Sequence, residues 1–181
     1  MITLLRSRRS IRKFTEQKIS KDIENLLIEA MLRSQSSRNI RPWEFIIIDD
    51  KQQLEHLASA KQHGSALIKD AAMAVVIIAD HSKSDVWIED ASIASIQLQL
   101  MADSLGLGSC WVQIRNRMAT DEVSSDKYVK QELAIPENYS VESIIALGYP
   151  AETPKAHTKQ DLLFDKVKHG SFENKYYKEL E

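Results

Sequence analysis

Ala72-Met73-Ala74-Val75-Val76-Ile77-Ile78-Ala79 is an unbroken apolar run, and four of its eight residues are β-branched. A strand with one wet face would alternate apolar and polar residues. This run does not, so it reads as a strand covered on both faces. Covering both faces takes helices, and the sequence on either side supplies them. From about Val86 to Leu105, Ile88, Ala91, Ile93, Ala94, Ile96, Leu98, Met101, Ala102 and Leu105 spread over more than one side of a helix. That pattern predicts a long, largely buried central helix, closed by Gly106 as a C-cap. Gly108-Ser109-Cys110-Trp111-Val112 follows as a short strand, and a helix over about 124–134 stops before Pro136. Val141-Glu142-Ser143-Ile144-Ile145-Ala146-Leu147 is another strand, ending at Gly148-Tyr149-Pro150.

Working upstream, Asp50 with Gln53 predicts a capped helix over about 51–62, interrupted by Gly64. Trp43-Glu44-Phe45-Ile46-Ile47-Ile48 is a strand, entered through the extended Arg41-Pro42 pair. Ser20 reads as an N-cap before a helical stripe of Ile23, Leu26, Leu27, Ala30 and Met31. Residues 2–9 form a short helix that turns Leu4 and Leu5 inward. Strands and helices interleave without repeats or linkers, so residues 1–181 are expected to form one α+β domain. The last stretch, from about 160 to 181, is charged with scattered Leu162, Leu163, Phe164, Val167, Phe172, Tyr176 and Tyr177. It cannot make a core alone, and it is expected to lie against another surface.

Composition narrows the function. Lys and Arg number 24 against 26 Asp and Glu, a net charge of −2, whereas a chain that coats nucleic acid is clearly basic. The single cysteine, Cys110, forbids an internal disulfide and a cysteine zinc cluster, and fits a reducing compartment. No apolar run reaches membrane length, and Met1-Ile2-Thr3-Leu4-Leu5 gives way at once to charge, so a cytoplasmic protein is expected. The histidines (His56, His63, His81, His157, His169) show no metal-ligand spacing, no serine sits in a Gly-x-Ser-x-Gly setting, and no P-loop is present. Gly106-Leu107-Gly108 is too short for a dinucleotide fingerprint. No catalytic side chain and no metal are expected.

Two donor-rich segments remain. Arg8-Arg9-Ser10-Ile11-Arg12-Lys13-Phe14 holds four cations in seven residues, with a hydroxyl and two apolar anchors. Alone it reads as a surface basic run or a nucleic-acid patch. Arginines this close can also present forked donors to a phosphate. The second segment, Gln35-Ser36-Ser37-Arg38-Asn39-Ile40-Arg41, is a polar loop. With a glycine-containing turn at 106–115, the set suits a planar, amide-rich ligand that carries a phosphate. Trp43, Trp87 and Trp111 read as core residues, and Cys110 as a small buried hydrophobe.

Those two segments resemble the N-terminal signatures of the nitroreductase family. Further matches follow in the same order: Trp87 to Asp90 and Ala94 at the head of the long helix, Leu105-Gly106-Leu107-Gly108-Ser109-Cys110-Trp111, and Ala146-Leu147-Gly148-Tyr149-Pro150. The resemblance implies a mixed or antiparallel central sheet flanked by helices and a C-terminal tail that packs on a partner subunit. It also implies a homodimer with FMN at the subunit interface and NADH or NADPH as reductant. By the same resemblance, Arg8, Arg9 and Ser10 hold the FMN phosphate and ribityl end, and Arg12 reaches the pyrimidine side. Gln35, Ser36, Ser37 and Asn39 fall in the loop that contacts the flavin held mainly by the other subunit. Val112, Gln113 and Ile114 run beside the reactive edge, and His157 and Lys159 stand where many members carry phosphate contacts. The chain departs from the family at Gln35, where many members have proline, at Arg41, where many have glutamine, and at Gln113, near where some carry glutamate. His157 and Lys159 are weaker cations than the usual pair. These departures bear on substrate choice. The implied activity is ping-pong hydride transfer through the flavin to a nitroaromatic, quinone or similar small acceptor. Alternatives are a non-catalytic FMN-binding or storage protein, and dehalogenation or flavin fragmentation on the same fold.

Overall fold

In the computed structural model, which describes residues 1–176, four strands form one antiparallel sheet in the order β1-β2-β4-β3. They are β1 (Trp43–Ile48), β2 (Met73–Asp80), β3 (Gly108–Gln113) and β4 (Tyr139–Gly148). The apolar run is β2, buried at every position and paired on both sides: Phe45 opposite Ile77 toward β1, and Val75 opposite Ile145 toward β4. The double coverage read from the sequence holds, although the sheet is antiparallel rather than the parallel kind in which such runs are commonest. The β2–β4 register slips between Ile77 and Ile78, so Glu142 is the extra residue of a bulge.

Helices cover both faces. On one lie α2 (Lys21–Leu32) and α4 (Trp87–Ser104), burying Leu27, Met31, Ala91, Leu98 and Ala102 against Val75, Ile77, Ile145 and Leu147. On the other lie α3 (Lys51–Leu57) and α5 (Ser125–Leu133), with Leu54, Leu57 and Val129 against Val76, Val112, Ile144 and Ala146. Caps set the helix ends. Ser20, Asp50 and Ser124 accept from the backbone N–H three residues on. At the far end of α4, Leu107 N–H bonds the Ala102 carbonyl and Gly106 N–H that of Asp103, with Gly106 at a left-handed φ of 78°. This is the paired-bond helix stop that favours glycine. Helix α3 ends at Leu57, five residues before its expected limit. The buried Ser65 hydroxyl, 2.7 Å from the Ala58 carbonyl, draws the chain into a turn instead.

Residues form two units: Arg9–Pro154, which contains the sheet and α2–α5, and a smaller one of Met1–Arg8 with the chain from Lys155 onward. The smaller unit holds α1 (Ile2–Ser7) and two short turns at Lys159–Asp161 and Phe164–Lys166. In α1 no residue is fully buried: of the two leucines expected to turn inward, Leu4 is half-buried and Leu5 largely exposed, and the helix ends at Ser7 rather than residue 9. A bridge between Lys168 and Lys175 closes a small hairpin, and Tyr177 lies outside the described residues. Among the described residues no helix is long and apolar enough to cross a membrane.

Candidate active site

Residues 9–12 run along the free edge of β3, tied to it by a single bridge. Ser10 pairs with Ser109 in a parallel bridge, and Ile11 N–H donates to the Ser109 carbonyl at 2.9 Å. The fit there is close because residue 108 is glycine: a Cβ would lie 2.7 Å from Ile11 Cβ, Cγ1 and Cγ2. The next anchor is Phe14, packed over Gly148 in the same way. Ile11 is therefore buried while Arg9 and Ser10 stay half-buried and Arg12 exposed. The two apolar residues nail the segment down, and its donors are left facing outward. Glu152 fixes it from the other side, accepting from the Arg12 N–H at 2.6 Å and the Lys13 N–H at 3.2 Å. The Arg12 guanidinium and the Ser10 hydroxyl have no hydrogen-bond partner among the described residues.

The second segment is a strained turn. Arg38, Asn39 and Arg41 all have left-handed φ, at 51°, 55° and 53°. For non-glycine residues this conformation is costly, and it persists only where surrounding bonds impose it. Those bonds are visible. Ser36 Oγ accepts from Arg41 N–H at 2.9 Å, and Asn39 Oδ1 accepts from Arg41 Nε at 2.8 Å. Asp90 Oδ1 accepts from Ser37 N–H at 2.8 Å, and Arg38 pairs with Asp85. Asp90 is only 2% exposed, so the first turn of α4 acts as a fixed post for this loop. Sequence reading placed Asp90 in the helix but not in the site. Its signal was an acidic residue on the buried side of an apolar helix. Gln35 stands at the start of the segment, exposed, and the Ser37 hydroxyl keeps its capacity for a ligand.

The third segment is the end of β3. Val112 and Ile114 side chains belong to the core, at 1% and 0% exposure. The Gln113 side chain is also committed: its Oε1 accepts from Trp111 Nε1 at 2.9 Å, and its Nε2 donates to the Arg115 carbonyl at 3.1 Å. What this stretch can offer a ligand is main chain. On an edge strand alternate residues turn their N–H and C=O away from the neighbour. Trp111 and Gln113 share the outward phase of Ser109, whose carbonyl receives Ile11. Behind them the Gln99 amide donates to the Ser109 hydroxyl at 3.2 Å, and burial pushes the Cys110 thiol up, away from a reactive thiolate. Trp43 is core, as expected, whereas Trp87 and Trp111 are half-buried.

Three expected contacts fall in the smaller unit. Arg8 caps the C-terminus of α1 through its backbone, bonding the Leu4 carbonyl. His157 is exposed and 4.0 Å from Asp161, a carboxylate that also accepts from Thr158 N–H and Oγ1. Lys159 opens the short turn that Thr158 caps. Among the described residues no group of three His, Cys, Asp or Glu side chains could hold a metal.

Comparison with known proteins gives this arrangement a lineage. The nitroreductase family's sequence pattern matches residues 5–62 and 52–149. A relative from Archaeoglobus fulgidus is 34% identical over 165 residues, 88% of this chain and 91% of its own. Another, from Methanothermobacter thermautotrophicus, is 32% identical over 157 residues, 85% of this chain and 79% of its own. Both are provisionally named NADH dehydrogenase/NAD(P)H nitroreductase. A solved structure, the FMN-dependent nitroreductase from Clostridium difficile R20291, superposes with a TM-score of 0.94 at 47% identity, covering 95% of this chain and 100% of that one. Both donor segments and the β3 edge lie within the matched residues, and the chain belongs to the nitroreductase family.

Proposed function

We propose that this protein is an FMN-dependent NAD(P)H oxidoreductase that passes hydride to a nitroaromatic, quinone or similar small acceptor in a ping-pong cycle. The observation that supports it most is the edge segment 9–12, which carries two arginines and a serine along the free side of β3. The donor set fits FMN. Guanidinium and hydroxyl groups match a phosphate and ribityl chain. The outward main chain of Trp111 and Gln113 matches the hydrogen-bonding rim of a ring. When bound, FMN supplies the hydride chemistry itself, so the protein needs no acid–base triad.

The chain's own residues then have defined tasks. Arg9 and Ser10 bind the phosphate and ribityl end. Arg12, whose guanidinium has no carboxylate at ion-pair distance among the described residues, places a fixed positive charge for the side of the ring that gains electron density, which favours the reduced state. Ser36, Ser37 and Asn39 reach the flavin held mainly by a second copy, in a loop whose strain Asp90 maintains. A homodimer is part of this reading. It is supported by a groove of about 310 Å³ between α2 and β1, lined by Ile28, Met31, Trp43, Phe45 and Ile47, and by Leu32 at 55% exposure beside it. Exposed Phe164 and Phe172 of the tail would pack on the partner.

Titration with FMN tests the assignment. Each of Arg9→Gln and Arg12→Gln is expected to weaken FMN binding by about tenfold or more, the worth of one charge-assisted contact. Wild-type affinity in both variants would refute the cradle, and a monomer at micromolar concentration that binds FMN normally would refute the shared site.

A further inference from the structure

Just beyond the outward edge of β3 the chain enters a turn that the flavin reading leaves unused. It borders a cleft of about 520 Å³ lined by Trp87, Arg115, Asn116, Arg117, Ser124 and Ser140, among others. The turn is rigidly held. Ile114 and Arg115 N–H groups both donate to the Glu142 carbonyl, at 3.2 and 3.1 Å, and Arg117 N–H donates to that of Ile114 at 3.1 Å. Ser125 N–H bonds the Arg117 carbonyl at 2.9 Å, and Met118 bridges to Ser124. Asn116 takes a left-handed φ of 56° between the two arginines. A backbone fixed this firmly presents two guanidinium groups two positions apart, with Arg117 Nη1 also donating to the Asn116 carbonyl at 2.8 Å.

Neither guanidinium has an ion-pair partner among the described residues. The acidic group lining the cleft, Asp126, is already engaged: its Oδ1 accepts from Val141 N–H at 2.7 Å and its Oδ2 lies 3.3 Å from Lys130. The Glu142 carboxyl, 4% exposed, is pushed upward by burial and drawn back down by a bond from Gln113 and the charge of Arg115, and it makes no ion pair with either arginine among the described residues. Lys61 is pushed downward, first by burial and then by the charge of Arg117, as expected where positive charge is not locally neutralised. The Ser124 hydroxyl caps α5 by accepting from Lys127 N–H, which leaves its own proton to donate. The Ser140 hydroxyl lies 3.0 Å from His81 Nδ1. Half-buried Trp87 supplies an aromatic wall.

We propose that this cleft is an anion-recognition subsite. It takes the carboxylate or phosphate of an aromatic ligand, with Arg115 and Arg117 on the oxyanion and Trp87 against the ring. The inference rests on the oxidoreductase reading and adds to it a substrate class: acceptors or nicotinamide donors that carry an extra oxyanion are favoured over neutral analogues.

Isothermal titration on the protein as purified, with or without flavin, tests the subsite apart from the enzymatic reading. Failure to take up FMN would count against the oxidoreductase reading and leave this binding measurement intact. The probes are 4-nitrobenzoate against 4-nitrobenzamide for the acceptor source, and NADP+ against NAD+ for the donor source. At least one anionic member is expected to bind about tenfold or more tightly than its counterpart, with inorganic phosphate competing. The double variant Arg115→Gln/Arg117→Gln should abolish that preference while the neutral member binds as before. Equal binding within both pairs in the wild-type protein, a result independent of how any variant folds, would overturn the proposal. A preference that survives the double substitution would also overturn it.

Discussion

Gly108→Ala probes the joint on which the donor segment hangs. The added Cβ would sit 2.7 Å from three atoms of Ile11, where real Cβ contacts stay above 3.0 Å and ordinary contact starts at 3.4 Å, so the two must separate by 0.3 Å at the least and by 0.7 Å to relax fully. Rotation about χ1 of Ile11 moves Cγ1 and Cγ2 but not Cβ, and the backbone itself must yield. That displaces the Ile11 N–H bond to Ser109 and the Ser10–Ser109 bridge, carrying Arg9, Ser10 and Arg12 off register. Overpacking of this kind costs about 1–3 kcal/mol. A single misplaced charge-assisted contact of about 1.5 kcal/mol or more already lowers FMN affinity about tenfold. Gly106→Ala is the matched control. Its Cβ would meet nothing within 4 Å, but its φ of 78° is left-handed. It should lose about 1–2 kcal/mol of stability with FMN affinity unchanged. Urea unfolding and FMN titration read the two quantities separately. If Gly108→Ala unfolds within about 0.5 kcal/mol of wild type and binds FMN with wild-type affinity, the close approach of Ile11 is not what positions the donors.

Other outcomes follow from the same geometry. Asp90→Ala strands the Ser37 N–H and should cost about 1–3 kcal/mol in urea unfolding; it should also weaken FMN binding, because the 36–41 turn loses its post. Burial raises the Glu142 carboxyl above its ordinary value, so the folded state holds a proton that the unfolded chain releases. Stability from this group is therefore full at acid pH and falls as pH rises through the ordinary carboxylate range toward the raised value. Glu142→Gln should gain on wild type as pH increases, a trend followed by thermal unfolding across that range. Asp80 has the opposite sign. Bonds from Ser82 lower it from 3.8 to about 2, with Lys83 adding to the effect, so its contribution is present above 3.8 and lost as pH falls toward 2. Asp80→Asn should be least stable relative to wild type near neutral pH, and acid titration of both proteins checks it. Ala134 ends α5 at a left-handed φ of 51°, so Ala134→Gly should stabilise by roughly 0.5–1 kcal/mol in urea unfolding.

Much of the fold was legible because its signals are local. The β2 run, the cap residues Ser20 and Asp50, and Gly106 after α4 each announce themselves within a few residues. Helix α3 was overextended because the turn that ends it depends on Ser65, which lies beyond the predicted helix. In the site, the types of donor could be read, but not the ties that hold them. Asp90 meets Ser37 across 53 positions and Glu152 meets Arg12 across 140. The strain at Arg38, Asn39 and Arg41 left no mark either, since none of them is a glycine. Arg115 and Arg117 share a cleft with Ser140 of β4 and Trp87 of α4, a neighbourhood that no local sequence signal announces.

The central claim is that the donor-bearing edge of β3 holds a flavin that a nicotinamide reduces. Its most direct test is the visible absorption spectrum of the purified protein, reconstituted with FMN where needed, before and after NADH or NADPH is added without oxygen. A yellow protein that bleaches with one of the two donors is the predicted result. A protein that stays colourless after incubation with FMN, or that binds FMN and remains yellow with both donors, would contradict it.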